Sequence, residues 1–515
     1  MTESETKVDF DRALVVRGQI IDKQIGTDSS RNFQHASESV SDSRNRALSV
    51  DIKQKEIYIN NSTLDPRLWN LKRKLAVVVF ILLTAFTATI GTPIYMAAIP
   101  DVQYKFKLTT TYAILPASLY ALALGLGAIV TSSFSEIYGR RIIYRLTLPA
   151  ALLATVLASI SSQFIYMVTF KTLAGILSAP NLTVGVGVLN DLWDPKQDRM
   201  GTIMAVLFVL CIIWATQFGP LISASVMTKW NHWQWTFHIS SLLLIFCVLL
   251  AFLVPETYMP EIMRTDAKRQ GQIVKSRRLT WHVIRKAASQ PLHMILVEPI
   301  VFPTGLVLAI TQSVIFSYYV AYASLFEGVY GFTQLQVGFS FTPLVLGTLF
   351  ALPILAACEK WVYQKARKDN QTSGKFVMPE SRLYPAMFSS LTMPISLFWL
   401  AWTGREDIHW IIPVISGTLF GFSYVLNMLC LPIYNNDIYT TQLGASVLAA
   451  STFMRFVISP GFMLLMPIIL LHLGFAWSVS LLGLITIALI PVPFIFFNYG
   501  PRLRAKSRYL SDRSS

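Results

Sequence analysis

Charge is scarce in this chain. Only 14% of its 515 residues are Asp, Glu, Lys or Arg, while 53% are hydrophobic; a water-soluble domain carries about 25% charged residues. That balance excludes an ordinary soluble domain. Cysteine is also rare: Cys211, Cys247, Cys358 and Cys430 lie in or at the ends of apolar runs. Their spacing fits neither a disulfide framework nor a zinc site, so all four read as packing residues. No GxxxxGK[ST] loop is present to cradle the phosphates of a nucleotide. HExxH, GxSxG and clusters of His and Asp are missing from the apolar runs as well, which argues against an enzyme and against a resident metal or cofactor. Residues 1–74 lack the short apolar core and small-residue cleavage site of a secretory signal. The first apolar run is therefore expected to target the protein itself. Being polar and rich in Ser, Asp and Lys, residues 1–74 are expected to form a disordered cytoplasmic leader. The sequons beginning at Asn60 and Asn61 would not meet the glycosylation machinery there.

What is abundant is apolar runs and aromatic rings, with twelve Trp, twenty Tyr and thirty-two Phe. Crossing about 30 Å of hydrocarbon takes about 20 helical residues. Runs of that kind recur at 75–99, 111–133, 142–161, 164–190, 200–227, 234–254, 298–325, 336–357, 384–403, 410–433, 444–466 and 474–497. They predict an all-α membrane protein with twelve transmembrane helices in two six-helix bundles, 75–254 and 298–497. A basic linker, 255–297, joins the bundles, and a tail follows from 498 to 515.

The net charge of +15 would suit a nucleic-acid binder if it were spread over a soluble surface. Instead, twenty-three Lys and Arg fall in the loops and tail on one side of this topology, and only Lys105, Lys107, Lys229 and Arg405 on the other. Positive loops stay in the cytoplasm, so both termini are expected there, with the lipid bilayer and not nucleic acid as the partner.

Without nucleotide hydrolysis, transport must draw on an ion or substrate gradient. A channel is the weaker reading, because no repeated filter-like loop or acidic ring segment appears. Between the second and third spans stands Ser135-Glu136-Ile137-Tyr138-Gly139-Arg140-Arg141. Gly139 permits a tight turn, and Glu136 with Arg140 and Arg141 can form charge-assisted pairs that hold one side shut; the plainer reading is a positive loop. Span five carries Gln217-Phe218-Gly219-Pro220, where proline removes a backbone donor and glycine lets helices approach. Asp191-Leu192-Trp193, Trp233-Gln234-Trp235-Thr236-Phe237 and Pro255-Glu256-Thr257-Tyr258 mark the ends of spans four and six.

From Asp65 to Tyr509 these residues resemble the major facilitator superfamily, specifically the fungal twelve-span drug:proton antiporter group of multidrug and polyamine carriers. The resemblance implies a proton-coupled carrier that rocks two bundles around a central site. It makes the loop at 135–141 a cytoplasmic gate and the Gly219-Pro220 pair an antiporter-like kink. It also favours the plasma membrane over the vacuole.

Two basic residues lie inside spans, where a charge is costly unless it faces protein or water. Lys171, four residues before Gly175, stands where the family's motif has arginine; a lysine can exchange protons when buried, or snorkel to the interface. Arg455 lies near the middle of span eleven with Asp437 upstream as a candidate partner or proton site. These three are the coupling candidates, against a structural ion pair. The candidate cavity combines Trp214 and Gln217 on span five with Gln312, Phe316 and Tyr319 on span seven and Phe420, Tyr424 and Asn427 on span ten. Tyr318 and Tyr322 add faces for cations. Helix packing is the competing explanation, but amides within spans need partners that a cavity or substrate would supply. No carboxylate falls near the middle of a span, Glu327 and Asp437 included. The expected substrate is therefore a cationic or amphipathic small molecule held by rings and amides, exported by a protein acting as a monomer in exchange for protons. Uptake of organic cations or polyamines is the alternative within the class, and a transporter-like sensor the alternative outside it.

Overall fold

The computed structural model describes residues 64–193, 199–271, 281–363, 379–439 and 444–507. The chain divides after Leu68. Before that point the described residues hold a single short turn, Pro66–Leu68, and the membrane-spanning architecture lies within Trp69–Ser515. Most of the leader expected at 1–74 lies outside the described residues.

Among the described residues all regular structure is helical, and eleven helical stretches are long and apolar enough to cross a membrane. The last, Ser446–Ala505, has 60 residues, about 90 Å of helix and three times the thickness of the hydrocarbon. Gly474 interrupts it with φ 69° and ψ 175°, so it supplies both the eleventh and the twelfth span. The twelve expected spans are all present, and their interruptions follow from sequence. Span one starts at Leu71, where the Asn70 side chain accepts a bond from Lys72 N. It then breaks into a 3-10 stretch at Pro93–Ala98 before continuing to Phe106. Span four is two helices, Phe164–Ser178 and Pro180–Leu192, with proline at the first position of the second, where its missing N–H costs nothing. Span eight begins with the short helix Gln334–Phe339, whose Thr333 and Gln336 side chains cap each other's backbone. Span five, by contrast, runs unbroken from Arg199 to Trp230 through Pro220.

Burial separates inner spans from outer ones. In the most apolar stretch of spans seven and ten 83% is buried, against 39% for span six, whose Leu242, Phe246, Leu249 and Phe252 are exposed. Apolar side chains facing outward are those of a helix whose solvent is lipid. The first six spans meet the last six chiefly where spans two and eleven, and spans five and eight, pack together. Gly125 lies against Phe456 so closely that a Cβ would sit 2.6 Å from the phenylalanine's own, and Ser118 Oγ donates to Pro460 O at 3.0 Å. Gly338 lies as closely on Ala224. Small residues at these crossings let the backbones approach.

Candidate functional site

A cavity of about 650 Å³ lies between the two sets of spans. Its walls come from the ends of spans one and eleven, the starts of spans two and eight, and the last third of spans five and seven. The deepest lining residue on span two is Ile114, on span five Pro220, and on span seven Tyr319. From there the lining climbs span seven through Val320, Ala323, Ser324 and Glu327, one face of a helix at three- and four-residue spacing. The cavity thus opens at the end of the molecule that carries Phe106, Trp230 and Gly328.

Of the rings and amides picked out by spacing, Tyr319 lines this cavity; its hydroxyl donates to Thr216 O at 2.9 Å. The others are not among its lining residues, and several find partners in the protein. Gln217 and Thr348 hydrogen-bond each other at 2.9 and 3.1 Å. Asn427 accepts from Ser389 at 2.5 Å and donates to Thr311 at 3.3 Å, and Tyr424 donates to Gln312 Oε1 at 2.9 Å. Tyr318 stacks on Tyr322 at 5.1 Å and packs against Phe420 at 4.5 Å, while Phe316 packs on Tyr319 at 5.7 Å. Trp214 is partly buried, and its Nε1, like Gln312 Nε2, has no hydrogen-bond partner among the described residues. Gly219 packs on Pro93, at the break in span one, and Pro220 faces the cavity. The Gly219-Pro220 pair thus lies within one continuous helix and makes a close contact with the break in span one.

Lys171 is only 2% exposed, so it does not snorkel. Its ammonium sits 4.9 Å from the Tyr120 ring and 4.7 Å from the Phe237 ring, held by aromatic faces in place of a carboxylate. Arg455 has its guanidinium 5.3 Å from the Phe456 ring and an Nε without a hydrogen-bond partner among the described residues. Asp437 is not its counter-ion, because Asp437 pairs with Arg382.

At the far end from the cavity mouth, the loop between spans two and three is a lattice of charge. The Glu256 carboxylate, leaving span six, accepts from Arg140 N at 2.9 Å and Arg141 N at 3.0 Å, the first amides of span three. It also accepts from Thr257 N and Tyr258 N. Gly139 has φ +90°, and a Cβ there would lie 2.7 Å from Glu256 Oε2. Arg140 itself reaches Asp191 at 3.1 Å and Ser135 Oγ at 2.5 Å, and its guanidinium lies over Tyr258. Glu136 is exposed at the end of span two, and the acid that meets Arg140 is Asp191.

The second half repeats this arrangement. Arg382, entering span nine, pairs with Asp437 at the end of span ten and with Glu359 at 2.8 Å. Glu380 pairs with Arg504 at 3.1 Å, and Glu298 accepts from Tyr439 OH and Ser507 Oγ at 2.6 and 2.7 Å. Sequence reading missed the capping role of Glu256 and the whole second lattice. The signal was there: Arg140 precedes Asp191 by 51 residues, and Arg382 precedes Asp437 by 55.

Comparison with known proteins places this architecture. The chain is 30% identical over 461 residues to an uncharacterized transporter of Schizosaccharomyces pombe, covering 87% of this chain and 83% of that one. It is 28% identical to Polyamine transporter 4 of Saccharomyces cerevisiae, over 86% of this chain and 71% of the other. To the major facilitator superfamily multidrug transporter mdrA of Aspergillus fumigatus it is 29% identical, over 88% and 75%. Among solved structures, a D-xylose-proton symporter superposes with a TM-score of 0.61 at 12% identity, over 81% of this chain and 97% of that one. The human organic anion transporter MFSD10 superposes with 0.57 at 14%, over 82% and 99%; at such identities the likeness shows the fold alone. Residues 81–460 match the family model for the Major Facilitator Superfamily, and with twelve spans in two sets of six and a cavity between them, the chain belongs to that superfamily of transporters, not to an enzyme family.

Proposed function

We propose that this protein is a proton-coupled antiporter that exports cationic or amphipathic small molecules across the plasma membrane by alternating access, working as a monomer with both termini in the cytoplasm. The observation that carries the reading is the one-sided cavity: it opens at one end between the two halves, while below it spans two and eleven are in close contact. A carrier caught in one of two access states has this form. In this reading Glu136, Gly139, Arg140 and Arg141 belong to the cytoplasmic gate, and residues 255–297 link the two halves. Lys171 is the favoured coupling residue, because it is buried among rings with no carboxylate paired to it among the described residues. Arg455 and Asp437 are the other candidates, the latter already tied to Arg382. The multidrug and polyamine relatives support the substrate class.

Reconstituted vesicles test the proposal. A pH gradient imposed across them should drive uphill movement of a labelled organic cation against the proton flow, and Lys171→Met should uncouple the two. Cation movement with the proton flow would favour uptake, and binding without any flux would favour a sensor.

A further inference from the structure

Among the described residues, those lining the cavity include a single charged side chain, Glu327. It lies on the penultimate residue of the span-seven helix, is exposed, and makes no ion pair or hydrogen bond among the described residues. Among the described residues no Lys or Arg lines the cavity. Lys105, at the same end of the molecule, is directed to the rings of Phe106 and Trp233 at 5.6 and 5.1 Å. Below Glu327 the same face of span seven carries Ser324, Ala323, Val320 and Tyr319, and opposite it stand apolar residues such as Ile114, Phe341 and Leu470. From Glu327 to Tyr319 is eight residues, two turns and about 12 Å of helix.

We propose that this cavity is a binding site for an amphipathic organic monocation, with the Glu327 carboxylate as counter-ion and the wall descending to Tyr319 and Phe341 receiving the apolar body. A carboxylate facing a chamber without basic residues leaves an uncompensated negative field, which the low-dielectric walls concentrate. One carboxylate matches one positive centre. A polyamine would leave its remaining ammonium groups against apolar walls, where desolvation without a partner is costly. The volume of about 650 Å³ falls in the range of sites that enclose drug-sized molecules. The choice of a monocation rests on the carrier reading and decides between the two substrate classes which that reading leaves open.

The test is equilibrium binding to the full chain in lipid nanodiscs, with empty nanodiscs subtracted, using tetraphenylphosphonium as the amphipathic monocation and spermidine as the polyamine. Tetraphenylphosphonium should bind at least about tenfold more tightly than spermidine, and Glu327→Gln should weaken it by about tenfold, the scale of one charge pair partly screened by water. Glu327→Asp should recover most of the loss, which a purely structural role would not predict. Unchanged affinity in Glu327→Gln, tighter binding of spermidine, or no binding of the monocation to the unmodified protein would each overturn the proposal. The binding contrast with no flux in vesicles would sink the carrier reading and leave the site standing. Flux with no contrast would do the reverse.

Discussion

The carboxylate of Glu256 accepts from four backbone N–H groups, two of them at the start of span three. A negative charge at a helix N-terminus satisfies orphan donors and meets the positive end of the helix dipole. The contact requires the chain at Gly139 to take φ +90° and to leave no side chain in the way. Alanine there costs about 1–3 kcal/mol of backbone strain and pushes on Glu256 besides. At Gly271, with φ +75°, an added Cβ would meet nothing within 4 Å, so alanine there carries only the backbone strain, about 1–2 kcal/mol. Thermal unfolding of the purified variants should therefore show a clearly larger loss for Gly139→Ala than for Gly271→Ala, and equal losses would remove Glu256 as the reason for the glycine. At this scale the sequence was partly legible. The glycine, the arginines and the Pro255-Glu256-Thr257-Tyr258 patch could all be read, but not that the last caps the first, because the partners stand 115 and 116 residues apart. The amides were legible as needing partners. Which partners they take, Thr348 for Gln217 and Ser389 with Thr311 for Asn427, depends on side chains of other spans, and helical spacing along one span does not carry that information.

At the scale of elements, spans two and eleven form a seal below the cavity. Gly125 is its closest point, with Phe456 where a side chain would go. Valine at 125 should wedge the pair apart, at an overpacking cost of about 1–3 kcal/mol, and so favour the state in which that crossing is open and the present mouth is closed. With the four native cysteines replaced by serine, a cysteine at Ser324 reports on the mouth, since Ser324 is exposed in the cavity wall. Maleimide should label Ser324→Cys readily, and at least about threefold more slowly once Gly125→Val is added, as expected for a shift of about 0.6 kcal/mol or more in a two-state equilibrium. An unchanged rate in a protein that still folds would show that this crossing does not control access. The spans themselves were the most legible elements, because twenty apolar residues leave little choice in a bilayer. Their breaks at Pro93, Pro180 and Gly474 sit on residues whose backbone preferences announce them. Pro220 shows the limit of that signal: the helix passes through it, and the local sequence does not reveal that Pro93 is the neighbour that bends.

At the scale of the whole molecule, the two charge lattices lie at the end opposite the cavity mouth. The residues 140 and 191 of the first half are echoed by 382 and 437 of the second. The sequence divides lysine and arginine in the same sense, with twenty-three in the loops and tail expected on one side of the membrane and four in the loops expected on the other. Loops with that excess are retained in the cytoplasm during insertion, so the cavity should open to the outside. Two positions allow this to be measured with little disturbance. Gly271, in the segment joining the halves, is exposed with open space around it. Asn231, between spans five and six, is exposed at φ 50°, just beyond the end of a helix. An epitope inserted at Asn231 should be reached by antibody on intact cells, whereas one at Gly271 should be reached only after permeabilisation. Because six spans separate the leader from the joining segment, the Gly271 result also fixes the side of the N-terminus. Both epitopes on one side would break the arrangement of six spans and six. Exposure of Gly271 with protection of Asn231 would keep the fold but invert it, turning the cavity, and the carboxylate of Glu327 within it, toward the cytoplasm.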